Sequence, residues 1–240
     1  MAYTNSPMVS YTKLSPNHSG QRTHSIDRIT PHCVVGQCSV ETLGNVFLPK
    51  SRQASSNYGI GVDGRVGMYV EEKDRSWCSS SAANDQRAVT IECASDSKAP
   101  YAFKDVVYEK LIQLCTDICK RNGKNKLLWL GDKDKTLGYT PASDEMVLTV
   151  HRWFANKSCP GDWMYARMGD LAEKVTAALG GQSSVSLDNA PAAWSKDAVN
   201  WALENRLLLG DANGDLKLRE NPTREQLCVM LKRYHDLFQK

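Results

Sequence analysis

Short apolar runs separated by polar, glycine-containing segments recur along the first 180 residues and predict β-strands. Apolar residues spaced three and four apart predict helices between these runs. Strands interleaved with helices favour an α/β fold, in which a central mixed β-sheet is flanked by helices. The predicted strands are Arg28–Val35, Tyr58–Val62, Val66–Val70, Arg87–Cys93 and Lys126–Gly131, and the predicted helices are Ser39–Phe47, Lys104–Arg121 and one that starts at Pro160.

The chain before Arg28 is polar and is predicted to form an extended arm. It includes the loop-forming sequence Ser-Pro-Asn-His-Ser-Gly between Ser15 and Gly20. Because His18 and His24 both belong to this arm, we expect them to be exposed loop residues and not metal ligands.

After Leu179 the sequence changes to Gly-Gly-Gln-Ser-Ser, which is typical of a flexible linker. Further on, Ser195 can cap a helix that ends near Asn205, and Thr223-Arg-Glu-Gln has the form of a capping box that opens another helix. A small C-terminal helical module is therefore predicted. The expected organisation is a domain at 1–180, a linker at 181–191 and the helical module at 192–240.

The segment from His151 to Trp163 contains an imidazole, an ammonium group and a thiol. His151 and Cys159 are eight residues apart, too far for neighbouring turns of one helix, so they meet only where a loop folds back. Pro160 favours the start of a helix at that point. We therefore expect a Cys159 thiolate to be stabilised by the positive end of the helix dipole and by Lys157.

A third metal ligand is predicted at His32, in the apolar segment that precedes Cys33-Val-Val. Two histidines and one cysteine leave the fourth position of a zinc ion open, which is the arrangement of a catalytic site, whereas structural sites are closed by four ligands. Cys33 should point to the face of the strand opposite His32. Cys38 is a weak candidate for a fourth ligand that would close the site.

The amino-acid composition argues against several classes of protein. The chain has 41% hydrophobic and 24% charged residues, as ordinary globular proteins do, and its net charge of +3 gives little support to nucleic-acid binding. It has no apolar run long enough to cross a bilayer and no signal-peptide pattern at its N-terminus. We therefore expect the eight cysteines, apart from the ligand Cys159, to be free, with Cys115 and Cys119 buried on one helix.

Five segments occur in order along the chain: Thr30–Cys33, Asn57–Val66, Arg75–Trp77, Val89–Glu92 and His151–Asp162. Together they resemble the zinc-dependent N-acetylmuramoyl-L-alanine amidases, a group that includes the phage lysozyme-type enzymes and shares its fold with the peptidoglycan-recognition proteins. An ordered set of segments is more specific than any single motif.

The resemblance implies hydrolysis of the amide that joins N-acetylmuramic acid to the L-alanine of the peptidoglycan stem peptide. It implies a Zn²⁺ cofactor held by His32, His151 and Cys159, which activates water for the attack. Glu92, at the end of an apolar strand, is the expected general base. Lys157 is expected to stabilise the oxyanion that develops on the attacked carbonyl.

The resemblance also implies a substrate-binding role for Asn57, Tyr58 and Trp77. Two positions depart from the family pattern. Some members have a catalytic tyrosine where this chain has Ser56, so Tyr58 is the alternative candidate for the general base. Other members have a histidine where this chain has Cys78, which leaves the role of Trp77 in the substrate groove open.

The C-terminal module resembles a single S-layer-homology motif through Trp194-Ser-Lys-Asp, Leu207-Leu-Leu-Gly-Asp and Pro222-Thr-Arg-Glu. Such motifs bind secondary cell-wall polymers, and they commonly occur in threes that pack together. A lone helical hairpin buries little apolar surface. We therefore expect this one to dock on the amidase domain or to pair with another copy, and the flexible linker favours pairing.

The expected partner is bacterial peptidoglycan, and a secondary cell-wall polymer is a second candidate. We expect neither nucleic-acid binding nor membrane insertion. Without an export signal, the protein is expected to remain in the cytoplasm until it is released to the wall, as phage endolysins do. The alternatives are a bacterial wall-remodelling amidase and a peptidoglycan-binding protein without catalysis. A retained Cys159 argues against the last of these.

Overall fold

The structure is a computed structural model that describes residues 3–180, 189–210 and 214–238. The chain forms two compact units, Met1–Ser183 and Ser184–Lys240. Most of the linker predicted at 181–191 lies outside the described residues.

A seven-stranded mixed sheet forms the centre of the first unit, with the strand order β1-β5-β4-β7-β3-β9-β8. Strands β4 and β5 are antiparallel and the other neighbours are parallel, while β2 and β6 form a separate antiparallel pair. The predicted α/β class with a central mixed sheet is confirmed. The strands are β1 Val9–Thr12, β2 His18–Gln21, β3 Arg28–Cys33, β4 Tyr58–Ile60, β5 Val66–Met68, β6 Asp74–Ser76, β7 Ala88–Cys93, β8 Lys126–Leu128 and β9 Glu145–Leu148.

The N-terminal segment is not an extended arm, and that prediction is wrong. It supplies β1 at the edge of the sheet and β2, which contains His18. Polar residues between the two strands are buried because they find hydrogen-bond partners: Ser15 Oγ donates to the Phe47 carbonyl at 2.5 Å, and Asn17 Nδ2 donates to it at 2.9 Å. Such buried polar pairs leave no hydrophobic periodicity in the sequence.

The described part of this unit contains six α-helices in addition to the sheet. The longest, α3, buries an apolar face made of residues at helical spacing and packs on β4, β7 and α6. Its two cysteines, Cys115 and Cys119, are free and buried as predicted. The helices are α1 Val40–Phe47, α2 Ala82–Arg87, α3 Asp105–Arg121, α4 Lys133–Gly138, α5 Asp162–Tyr165 and α6 Met168–Ala178.

The helix predicted from Pro160 begins two residues later and is divided. Gly161 has φ +84° and is the residue before α5, so the helical conformation starts only at Asp162. Arg167, with φ −105° and ψ 5°, separates α5 from α6. Cys159 is therefore a loop residue and not a helix cap.

Three neighbouring strands, β7, β3 and β9, run parallel, so their carboxyl ends open at one edge of the sheet. All six residues of β3 are buried, as expected for an interior strand that lies between β7 and β9. Strand β9 was missed by the sequence analysis, yet it leads into the segment that starts at His151. Side chains at the carboxyl ends of such strands commonly line the binding crevice of an α/β protein.

The second unit contains α7 Lys196–Glu204 and α8 Arg224–Leu237. Thr223 and Gln226 form the predicted capping box of α8. Large apolar side chains of this unit are exposed, among them Trp194 at 90% and Leu231 at 58%. None of the helices in the described part of the chain has the length and apolar character that a bilayer crossing requires.

Candidate metal centre and cleft

His32 and Glu92 lie side by side at the carboxyl ends of β3 and β7. The two residues are direct partners in the parallel register of these strands, so their side chains leave the sheet on the same face. His32 is fully buried, and burial, with a smaller effect of His151, lowers its pKa well below the usual value. The imidazole is therefore neutral, as a metal ligand must be.

His151 reaches the same place from β9. It begins a short 3-10 turn, His151–Trp153, three residues after the strand ends. Its ring lies 5.1 Å from the ring of His32, centroid to centroid, in an edge-to-face arrangement. Burial lowers the pKa of His151, and the nearby charge of Lys157 lowers it further.

The loop that carries Cys159 folds back on this turn. The backbone N–H of Arg152 donates to the Cys159 carbonyl at 3.1 Å. The Arg152 guanidinium donates to the Ser158 carbonyl at 2.6 Å and to the Asp162 carboxylate at 3.0 Å. These contacts hold Cys159 Sγ at 3.3 Å from Nδ1 of His32.

One potential ligand atom from each of His32, His151 and Cys159 lies within 4.8 Å of the others. Tetrahedral zinc with ordinary Zn–N and Zn–S bonds places nitrogen and sulfur about 3.6 Å apart. The observed 3.3 Å between His32 Nδ1 and Cys159 Sγ is close to this separation. Nε2 of His32 is buried and has no hydrogen-bond partner in the described part of the chain. The donor set and its spacing therefore fit a zinc ion.

The charge state of Cys159 differs from the expectation. Contact with the Cys33 thiol and burial raise the pKa of Cys159 well above the usual value in the metal-free chain. The expected helix dipole does not act on it, because α5 begins only at Asp162. A metal ion would have to displace the thiol proton.

Glu92 and Cys78 form a second potential ligand group with His32. The Cys78 thiol lies 3.8 Å from Oε1 of Glu92. Oε2 is enclosed and without a hydrogen-bond partner among the described residues. Burial raises the pKa of Glu92 to about 7, against the smaller opposing effects of Cys78 and Arg52. A carboxylate with this pKa is suited to accepting a proton near neutral pH.

A cleft of about 600 Å³ opens beside these groups. Glu92, His151, Lys157 and Trp77 all line it. The Trp77 indole donates to Ser19 Oγ at 2.6 Å, which holds the ring against β2. Three cationic side chains line this cleft: Arg52, Arg75 and Lys157.

Asn57 and Tyr58 lie elsewhere, and neither is among the side chains that line the cleft. Both are fully buried. Asn57 Oδ1 accepts from the Arg22 guanidinium at 3.0 Å. The Tyr58 hydroxyl donates to Glu72 at 2.6 Å and accepts from the Ser6 backbone N–H at 2.8 Å. These hydrogen bonds hold the phenol in a polar network of the core, where burial raises the pKa of Tyr58.

Neither potential ligand group contains Cys33 or Cys38 within the described ranges. Cys38 packs instead beside the small apolar cluster of Leu43, Phe47 and Tyr69. Cys33 does contact the site, because its backbone N–H donates to Cys159 Sγ at 3.4 Å, but among the described residues its thiol belongs to neither ligand group.

The sequence analysis missed the contacts made by the segment Cys78–Ser81. Ser80 Oγ lies 2.9 Å from Nε2 of His151, and the two residues are 71 positions apart. Asp85 binds the backbone of the same segment. No local spacing in the sequence indicates such contacts, because the partners meet only in the folded chain.

Comparison with curated proteins returned no match. Among solved structures, a selenomethionine derivative of AmpD is similar with a TM-score of 0.49 and 16% identity, over 72% of this chain and 99% of that one. The N-acetylmuramoyl-L-alanine amidase LysC from Clostridium intestinale URNW gives 0.44 and 16%, over 76% and 96% of the two chains. The Ph2119 endolysin from a Thermus scotoductus MAT2119 bacteriophage gives 0.42 and 15%, over 69% and 91%.

Residues 16–162 match the family described as N-acetylmuramoyl-L-alanine amidase. The match spans more than half of the chain and includes His32, Glu92, His151 and Cys159. The chain therefore belongs to the N-acetylmuramoyl-L-alanine amidase family, whose substrate is peptidoglycan.

Proposed function

We propose that the protein is a zinc-dependent amidase that cleaves the bond between N-acetylmuramic acid and the L-alanine of the stem peptide. The observation that supports this most strongly is the convergence of His32, His151 and Cys159 beside Glu92 at one edge of the sheet. Three protein ligands with an open fourth position are typical of catalytic zinc.

The zinc ion, when bound, polarises the scissile carbonyl and lowers the pKa of water. His32, His151 and Cys159 would hold the ion. Glu92 accepts the proton of the attacking water and later returns it to the departing amine. The carboxylate can do so because Glu92 lines the cleft and its pKa of about 7 suits proton transfer near neutral pH.

Lys157 lines the cleft from the loop between the two ligands His151 and Cys159. Its exposed ammonium group is free to approach the attacked carbonyl, where it stabilises the developing negative charge. Arg52 and Arg75 add positive charge to the same wall. We assign them to the carboxylates of the stem peptide, since opposite charges favour the encounter.

Digestion of purified peptidoglycan followed by mass analysis tests the bond that is cut. Free N-terminal L-alanine on the released stem peptides is the expected result. Release of reducing sugars without free L-alanine would indicate a glycosidase and refute the proposal. Walls that bind the protein but stay intact would favour the alternative of a peptidoglycan-binding protein without catalysis.

Alanine at each ligand position tests the metal site. His32→Ala, His151→Ala and Cys159→Ala should each lose stoichiometric zinc and hydrolysis, because two ligands retain the ion poorly. Cys228→Ala is the matched control, since this cysteine is exposed and lies in the second unit. Full activity with one zinc per chain in any ligand variant would remove that residue from the site.

For the biological role we propose a phage endolysin that stays in the cytoplasm until it is released to the wall. A bacterial wall-remodelling amidase is the alternative. The C-terminal unit, whose Trp194 and Leu231 are largely exposed, is proposed as an S-layer-homology-like module that binds a wall polymer or pairs with another copy. Two measurements separate these two roles. The first is lysis of the host by protein added from outside. The second is lysis of a host that expresses the chain, with and without a pore-forming protein.

A further inference from the structure

The segment Cys78–Ser81 contacts two functional side chains at once. Ser80 Oγ lies 2.9 Å from Nε2 of the candidate ligand His151. The Cys78 thiol lies 3.8 Å from Oε1 of the candidate base Glu92. His151 follows β9 and Glu92 belongs to β7, so this one segment bridges residues from two separate parts of the sheet edge.

Asp85 holds the segment in place from the first turn of α2. Its carboxylate accepts the backbone N–H of Cys78 at 3.0 Å and that of Ser79 at 3.2 Å. Only 2% of Asp85 is exposed. A buried carboxylate is costly unless it is hydrogen-bonded, so the segment and the carboxylate stabilise each other.

The neighbouring Asn84 ties the same segment to the strands that carry the ligands. Its side-chain nitrogen donates to Ser79 Oγ at 3.3 Å and to Thr30 Oγ1 at 3.0 Å, and its oxygen accepts from Thr149 Oγ1 at 3.1 Å. Thr30 and Thr149 each lie two residues before a candidate histidine ligand.

The backbone of Ser80 adds a second indication. Its φ is +63°, in the left-handed region that residues other than glycine rarely adopt. Such conformations persist where surrounding contacts enforce them, and they are concentrated at functional sites. Here the enforced conformation places the Ser80 hydroxyl against the imidazole of His151.

We propose that Ser80 and Asp85 are positioning residues of the amidase site. Ser80 accepts the Nε2–H of His151, which leaves Nδ1 of that ring for the metal, and Asp85 fixes the segment that presents Ser80 and Cys78. Partners of this kind set the tautomer and the orientation of metal-binding histidines. The inference rests on the proposed zinc site and extends it.

Ser80→Ala in the full chain tests the first part. Because Ser80 is exposed, its loss should leave folding intact, while zinc affinity measured by competition with a chelator should fall about 10- to 100-fold. Nitrogen NMR of the metal-free protein should show the Nε2–H tautomer of His151 in the wild type and a mixture in the variant. Ser97→Ala, an exposed loop serine, is the matched control.

Equal zinc affinity and an equal tautomer population in Ser80→Ala would overturn the role of Ser80. This readout is independent of hydrolysis: a wild-type protein that binds zinc but cuts no wall would refute the proposed function and leave the positioning test valid.

Asp85→Asn tests the second part. Asparagine keeps one acceptor oxygen and replaces the other by an amide group that cannot accept. Zinc affinity and kcat should both fall, with KM nearly unchanged, whereas the exposed Asp134→Asn should match the wild type. A lower melting temperature with unchanged zinc affinity and kcat would assign Asp85 a structural role only. If the variant does not fold, Ser80→Ala still decides whether the segment positions His151.

Discussion

Burial sets the chemistry of individual residues at the cleft. It keeps His32 neutral and raises the pKa of Glu92 to about 7, so the same physical effect prepares one residue to bind a metal and the other to take a proton. Two carboxylates near the site show different outcomes. Asp85 satisfies its oxygens with backbone N–H groups, whereas Oε2 of Glu92 has no hydrogen-bond partner among the described residues.

Glu92→Gln should retain zinc and lose about two to four orders of magnitude in kcat, because the amide cannot accept the proton. The measurement combines metal analysis with turnover on purified walls. Glu109→Gln, at an exposed position of α3, serves as the control. Near wild-type turnover in Glu92→Gln would show that another group takes the proton.

Tyr58→Phe tests whether Tyr58, instead of Glu92, is the general base. Since the phenol is committed to Glu72 and the Ser6 N–H in the core, we expect nearly normal kcat and a loss of about 1–3 kcal/mol in the free energy of unfolding. Denaturant unfolding and turnover are measured together, with Tyr11→Phe as the control. A large loss of kcat at unchanged stability would return Tyr58 to the catalytic candidates.

At the scale of elements, the division between the Cys159 loop and α5 depends on one glycine. Gly161 has φ +84°, and a Cβ there would lie 2.9 Å from the Pro100 carbonyl oxygen and 2.9 Å from Tyr101 Cβ. The loop conformation that brings Cys159 to His32 therefore requires glycine at this position.

Gly161→Ala should reduce the free energy of unfolding by about 1–3 kcal/mol and weaken zinc binding, because the strained backbone shifts the cysteine ligand. Thermal unfolding and chelator competition measure the two effects. Gly169→Ala in α6 is the matched control: the nearest heavy atom to its added Cβ is 3.8 Å away, and alanine favours the helix, so its stability should rise slightly. Unchanged zinc affinity in Gly161→Ala would contradict this account of the loop.

At the scale of the whole molecule, the two units divide the proposed tasks. The first contains the sheet, the core and all the candidate site residues, and the second contains α7 and α8 with several exposed apolar side chains. Removal of residues beyond 180 should leave zinc content and turnover on small wall fragments intact while lowering the affinity for intact walls.

Light scattering of the full chain and of the shortened chain tests whether the second unit mediates pairing. A larger mass for the full chain than one copy accounts for, together with a monomeric shortened chain, is the expected outcome. Equal monomeric masses would refute pairing, and equal affinity for intact walls would refute a targeting role.

The sequence by itself determined the features that depend on neighbouring residues. Hydrophobic spacing predicted the α/β class, which is confirmed, and the face that α3 buries. The sequence also allowed one ligand set to be proposed, because His32, His151 and Cys159 occur in the order of the family's ligands. The structure brings a potential ligand atom of each to within 4.8 Å of the others. The sequence also predicted the Thr223 helix cap, since a capping box joins residues that are three positions apart.

Tertiary structure alone decided the features that depend on distant partners. Asn57 and Tyr58 lie in a buried network because Arg22 and Glu72 reach them from loops elsewhere in the chain. Ser80 meets His151 across 71 positions, and the polar N-terminal segment becomes β1 and β2 because β5 and β6 pair with these two strands. Burial and hydrogen-bond satisfaction are properties of the assembled fold, so no periodicity along the chain records them.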